Sequence, residues 1–126
     1  MGDEPTLYER IGGAETLSRV IDDFYGRVTR DPDLSPFFRK TSMDKLRSMQ
    51  HEFLGAALDG PQQYTGLSLA HVHSGLGITV HHFNRFTQHL LETLRDMGVA
   101  EKDIEQVISR INLHVHDIVG GTIATD

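Results

Sequence analysis

Apolar residues recur along this chain at helical spacing, and glycine and proline interrupt the pattern at intervals. From Ala14 to about Arg30, Leu17, Val20, Ile21, Phe24, Tyr25 and Val28 follow one another at helical steps, which places them on one face. Asp31-Pro32 ends this helix, because proline disfavours helical backbone at the residue before it. Thr41-Ser42-Met43-Asp44 has the form of a capping box, with Thr41 and Asp44 as its two members, and predicts a helix to about Leu58. Gly60-Pro61 stops it. A third long helix runs from Val80 to Met97, with Val80, Phe83, Phe86, Leu90, Leu91 and Leu94 inward and Gly98 as its C-terminal cap. Glu101 and Asp103 suit the first turn of a last helix, from about Ala100 to Val119. Its apolar face is Ile104, Val107, Ile108, Ile111, Val115 and Ile118.

Shorter pieces lie between. Leu7 to Ile11 reads as one helical turn, stopped by Gly12-Gly13. Leu34 to Phe38 is a tight corner, and Pro61 to Ser68 is a loop. Leu69 to Ile78 is a short apolar turn of helix carrying His71 and His73, broken by Gly77. No stretch alternates with period two for long enough to be a strand. The expectation is an all-α fold, one domain over residues 1–126, with four substantial helices.

Polar residues on the inward faces change the picture. Tyr25 lies within the stripe of the first long helix, and Gln50 lies between Leu46 and Leu54 on the second. A buried hydroxyl or amide left unpaired costs about 1–3 kcal/mol. Either the two satisfy each other, or both face a cavity and donate hydrogen bonds to something bound there. His73, on a short helix between long amphipathic segments, is placed as a protein presents a neutral imidazole to a metal.

Composition narrows the classes. There are no cysteines, which excludes thiol redox chemistry, zinc–thiolate sites and iron–sulfur clusters. The net charge is −6 and no lysine/arginine run appears, so no nucleic-acid partner is expected. No apolar run approaches the ~20 residues of a membrane span. The N-terminus lacks a signal-peptide pattern, so a soluble cytoplasmic protein is expected, most simply a monomer.

In their order and spacing these residues resemble a truncated haemoglobin of the first group, a globin shortened to a two-over-two helical sandwich enclosing haem. The resemblance runs from about Thr6 to Val119. It is carried by Gly12-Gly13, Phe24-Tyr25, the Phe37-Phe38 corner, Leu46 with Gln50, Gly60-Pro61 with Tyr64-Thr65-Gly66, Val72-His73, and Gly77 to Phe83. It implies haem b (iron protoporphyrin IX) as cofactor, with His73 as proximal iron ligand and Phe38 against the haem face. Tyr25 and Gln50 would be the distal pair that hydrogen-bonds a dioxygen ligand, and Leu46 would stand where ordinary globins place a distal histidine. Phe53, Tyr64, Leu69, Val72, Ile78, Val80, Phe83, Ile108 and Ile111 would line the haem pocket. Met49 stands where relatives carry a lysine or an iron-binding histidine, so propionate contacts are sought at Thr41, Lys45 or Arg47. Leu54 replaces a larger aromatic that gates a ligand tunnel in some relatives.

The remaining histidines are read more plainly. His81 and His82 are expected at the surface or as caps, His89 at the surface, and His51 away from the iron. Some relatives bond a last-helix histidine covalently to haem. The family register favours His116 for this role, and helical periodicity favours His114.

The resemblance implies reversible binding of dioxygen and other diatomic ligands (nitric oxide, carbon monoxide). Nitric oxide dioxygenation is possible with an external electron-donating reductase. A ligand or redox sensor and a peroxidase-like haem protein are further readings of the same pocket. The rivals from other classes are a non-haem metal-binding helical bundle and a helical interaction module without cofactor. No inward Glu-x-x-His pair supports the first, and the second leaves Tyr25 and Gln50 unexplained.

Overall fold

The computed structural model describes residues 4–64 and 76–119. Among them there are helices and turns and no strand. Helix α1 spans Leu7–Ile11, α2 Gly13–Arg30, α3 Met43–Ala57, α4 Val80–Asp96, α5 Glu101–Asn112 and α6 Val115–Ile118. A 3₁₀ turn, Ser35–Phe38, joins α2 to α3. Helix α2 packs against α3 on one side and α4 on the other, while α5 closes on α4 and α1.

The start of α1 is a true capping box. The Thr6 hydroxyl accepts from the Glu9 amide, and the Glu9 carboxylate accepts from the Thr6 amide. A second box opens α4, with Thr79 as cap and the His82 ring returning to the Thr79 amide. The capping box expected at Thr41 and Asp44 is not formed. Ser42 is the cap of α3, its hydroxyl accepting from the Lys45 amide. Thr41 and Asp44 have the right spacing, but the chain enters the helix one residue later.

At the end of α4, Gly98 takes φ 80° and closes a Schellman motif, with the Val99 amide on the Leu94 carbonyl. The end of α3 uses the same geometry with Asp59 at φ 69° in place of glycine, and the Gly60 amide on the Gly55 carbonyl. Gln62 then folds back so closely beneath α3 that a Cβ on Gly55 would lie 2.4 Å from its side chain.

The expected last helix is broken. At Leu113 and His114 the amides reach back three residues, to Arg110 and Ile111, rather than four. This tightening turns the axis and leaves α6 as a separate turn. Leu113 is 74% exposed, so the break puts an apolar residue into solvent.

The core is one cluster. Leu17, Val20, Ile21, Phe24, Tyr25 and Val28 of α2 are buried together with Leu90 and Leu94 of α4 and Ile104, Val107 and Ile111 of α5. Ion pairs tie its edges. Arg10 of α1 reaches Asp103 of α5 at 3.0 Å, so Asp103 is a buried partner as well as a first-turn acid. Asp31, the C-cap of α2, is buried and accepts from Arg85 and His89 of α4 at 2.6 and 2.7 Å. His89 is therefore no surface residue, because it turns inward to a carboxylate that has left water. No described helix is long and apolar enough to cross a membrane.

Candidate functional site

An apolar hollow lies between α2, α3, α4 and the C-terminal turn. It has two lobes of about 80 and 180 Å³, with Phe38, Leu46, Phe86 and Ile118 as their common wall. The smaller lobe is completed by Phe24, Tyr25, Gln50, Phe53, Leu54, Leu90, Ile111 and His114. The larger is completed by Leu34, Phe37, Thr41, Leu76, Ile78, His82 and Phe83. Thr41 and Leu76 are exposed, so the larger lobe opens to solvent beside them.

Tyr25 is delivered to the hollow by α2. Its residue is 2% exposed, and its ring packs on Phe24 at 4.8 Å and Phe38 at 6.0 Å. Among the described residues its hydroxyl has no hydrogen-bond partner. Burial pushes its pKa well above that of an ordinary tyrosine, so the hydroxyl keeps its proton. Gln50, one turn after Leu46 on α3, reaches the same lobe, and its amide has no described partner either. The two do not satisfy each other. Two uncommitted hydrogen-bonding groups thus share one wall of an otherwise apolar space, and this arrangement fits a flat apolar group that carries a polar ligand.

The structure brings most of the expected site together. Tyr25, Phe38, Thr41, Leu46, Gln50, Phe53, Ile78, Phe83 and Ile111 all line one lobe or the other. Tyr64 packs its ring against Phe53 at 5.7 Å, just behind the wall. Ile108 does not reach the hollow. It lines a shallow outer cleft with Leu91 and Arg95, about one turn before Ile111 along α5. Val80 is 52% exposed at the start of α4 and lies outside the lining of both lobes. Leu69, Val72 and His73, with the whole His73 turn, lie outside the described residues.

Periodicity alone marks several lining residues only as core or surface. Phe24, Phe86, Leu90 and Ile118 belong to apolar stripes that look the same whether they face a neighbouring helix or a cavity. His82, expected at the surface or as a cap, takes part in the cap of α4 and also lines the larger lobe, edge-on to Phe37 at 4.9 Å. His114 lines the smaller lobe with its ring 5.2 Å from Phe53, whereas His116 is exposed. His51 turns away from the hollow toward Gln62 and the Ala14 carbonyl. Arg47 is held by Asp22 and Asp44 on the outer surface. No described cluster of histidine and carboxylate side chains could hold a metal by itself.

Comparison with known proteins agrees with this geometry. The family model for bacterial-like globins matches residues 6–119. The chain is 43% identical over 106 residues to the group 1 truncated hemoglobin GlbN of Mycolicibacterium paratuberculosis, covering 84% of this chain and 78% of that protein. Among solved structures, the Fe(III) form of truncated hemoglobin from Tetrahymena pyriformis superposes with a TM-score of 0.89 at 30% identity, covering 92% of this chain and 99% of that one. The 2/2 hemoglobin of a Synechococcus species, in the cyanomet state with covalently attached heme, gives a TM-score of 0.86 at 29% identity, covering 91% and 98%. This chain belongs to the bacterial-like globin family and is a group 1 truncated haemoglobin, a haem-binding globin of two-over-two fold.

Proposed function

We propose that this globin holds haem b through His73 and binds dioxygen reversibly, with Tyr25 and Gln50 as the ligand's hydrogen-bond partners. The observation that carries the proposal is the buried Tyr25 hydroxyl, protonated and without a described partner, at the wall of an apolar hollow. Haem, when bound, supplies an iron that takes a diatomic gas and leaves negative charge on it. The Tyr25 Oη–H and the Gln50 Nε2–H are preorganised donors for that charge. Phe24, Phe38, Leu46, Phe53 and Phe86 keep water from the same space, which strengthens each of those hydrogen bonds. Thr41 and His82 are the polar side chains of the larger lobe, near its opening, where they suit the carboxylates at the porphyrin edge.

The same pocket would serve nitric oxide dioxygenation, in which nitric oxide, dioxygen and one electron give nitrate. Both uses need the iron returned to the ferrous state by an external electron donor. The haem is taken as noncovalent, because the His114 ring is already packed on Phe53 and sits 3.8 Å from Asp117. Acid–acetone extraction should then remove all of it with unchanged mass.

The test is an absorption spectrum of the ferric, ferrous and carbon monoxide forms beside a His73→Gly variant. The expected result is a Soret band that shifts with carbon monoxide, is lost or altered in the variant and returns with added imidazole. Tyr25→Phe should speed dioxygen release by about tenfold or more, the equivalent of one charge-assisted hydrogen bond. A normal spectrum for His73→Gly would remove His73 as ligand, and an unchanged release rate would remove Tyr25 as donor.

A further inference from the structure

We infer that the opening of the larger lobe is the docking site of an acidic one-electron carrier protein, recognised by the exposed basic rim of Arg39, Lys40 and Lys45. The inference rests on the proposed need for an external electron donor and names where that donor binds and what charge it carries.

The chain is acidic, with 12 lysines and arginines against 18 aspartates and glutamates. Most of its arginines are already engaged by acids. Arg10, Arg27, Arg47, Arg85, Arg95 and Arg110 each pair with a carboxylate at 3.2 Å or less. Arg39, Lys40 and Lys45 are exposed, and among the described residues their side chains have no partner. They fall within seven consecutive positions that also contain Thr41, a residue of the larger lobe. Arg39 and Lys40 lie between the lining residues Phe38 and Thr41, and Lys45 directly precedes Leu46.

The acids nearest in the chain do not cancel this rim. Asp44 is held by Arg47 at 3.2 Å, and Asp33 is turned to the His81 ring of α4 at 3.1 Å. Inside the rim the surface is apolar. Leu76, 47% exposed, lies in the opening, with Phe37 behind it. An apolar centre within a charged edge is the layout of a transient protein interface. The charge steers the encounter, and the apolar contact sets orientation. Of the six exposed cations without a described partner, the three of the rim fall in one segment beside the lobe, while Arg19, Arg30 and Lys102 are scattered along the chain. The edge of a group held in the hollow is closest to the surface at this opening, so a carrier seated there has the shortest path for its electron. The step is one electron leaving the reduced carrier, which is oxidised, and reducing the ferric protein.

The test uses the haem-loaded protein and a reduced plant-type [2Fe–2S] ferredoxin as acidic carrier, with reduction followed by stopped flow. The second-order rate constant should fall about tenfold as salt rises from roughly 10 to roughly 200 mM, as steered encounters do. The triple variant R39E/K40E/K45E should lose about tenfold at low salt, together with most of the salt dependence. The glutamine triple should lie between. The control R19E/R30E/K102E makes the same change in net charge at exposed positions outside the rim and should stay within about twofold of the parent. Binding of oxidised ferredoxin, read by NMR line broadening, should weaken in the rim variants and not in the control. Photoreduction by a neutral deazaflavin and the rate of hemin loss to apomyoglobin should be unchanged in all of them.

An unchanged ferredoxin rate in the rim variants would overturn the inference. So would faster hemin loss in those variants, which would assign the three cations to the propionates, or an equal effect in the control. Failure of the dioxygen-based function would show separately, as absent dioxygen binding or nitrate formation in a protein that still docks ferredoxin.

Discussion

Helices α2 and α3 both carry an apolar stripe, and the fold uses the two stripes differently. On α2, six residues from Leu17 to Val28 are buried to 2% exposure or less. On α3, only Leu54 and Gly55 are fully buried, while Leu46, Gln50 and Phe53 are partly buried. Helix α2 lies between α3 and α4, and its stripe is covered by protein except at Phe24 and Tyr25, which also edge the smaller lobe. The stripe of α3 faces the hollow, so its cover is a bound group. The same periodicity therefore makes a core element in one case and the wall of a cofactor site in the other.

Truncation should separate the two. Phe24→Ala removes a ring that is 1% exposed and should cost about 3–5 kcal/mol already in the haem-free protein. Phe53→Ala should cost about 1 kcal/mol in the haem-free protein, because the ring is only partly covered, and more once haem is bound. Urea titrations of both forms measure this. Equal costs for the two variants in the haem-free protein would make α3 an ordinary core helix.

The end of α2 offers a second contrast, since its charge is fixed by protein alone. Burial acts to raise the pKa of Asp31, but hydrogen bonds from His89, the Asp33 amide and Arg85 outweigh it and hold the pKa at about 2, below the ordinary 3.8. The folded pKa is the lower one. The stabilisation is therefore present above the unfolded value near 3.8 and is lost as pH falls through about 2. Asp31→Asn should lower stability by about 2 kcal/mol at neutral pH, the loss of a charged acceptor shared by His89, Arg85 and the Asp33 amide, and should flatten that acid limb. Acid titration of the folded fraction checks it. An unchanged acid limb would mean the cluster does not couple α2 to α4.

The smallest effect has the opposite sign. The Tyr25 hydroxyl has no partner among the described residues, so Tyr25→Phe should stabilise the haem-free protein by about 1 kcal/mol while it weakens ligand retention. A loss of stability instead would show that the hydroxyl has a partner in the folded chain.

Much of this was legible in the residues. The bounds of α1 and α2, the stop after α4 at Gly98 and the inward faces of α2 and α4 follow from spacing and breakers, which are local. Tyr25 and Gln50 stood out because a polar group in an apolar stripe needs a reason, and the hollow supplies one. Other features were not legible. Asn112-Leu113 contains no breaker, yet the helix bends there. Ile108 and Ile111 belong to one apolar face, but only Ile111 meets the hollow. His89 looked like a surface residue because its partner, Asp31, is 58 positions away.

The sequence by itself determined that the chain is helical, where the long helices run and which face of each turns inward. Those choices depend on backbone propensity and on periodicity over a few turns, and both are written in neighbouring residues. Only the tertiary structure decided which inward faces meet each other and which part around a space, because that depends on how helices far apart in sequence cross. It made α2 a core and α3 a wall. It left the Tyr25 hydroxyl without a partner among the described residues, at the wall of the hollow.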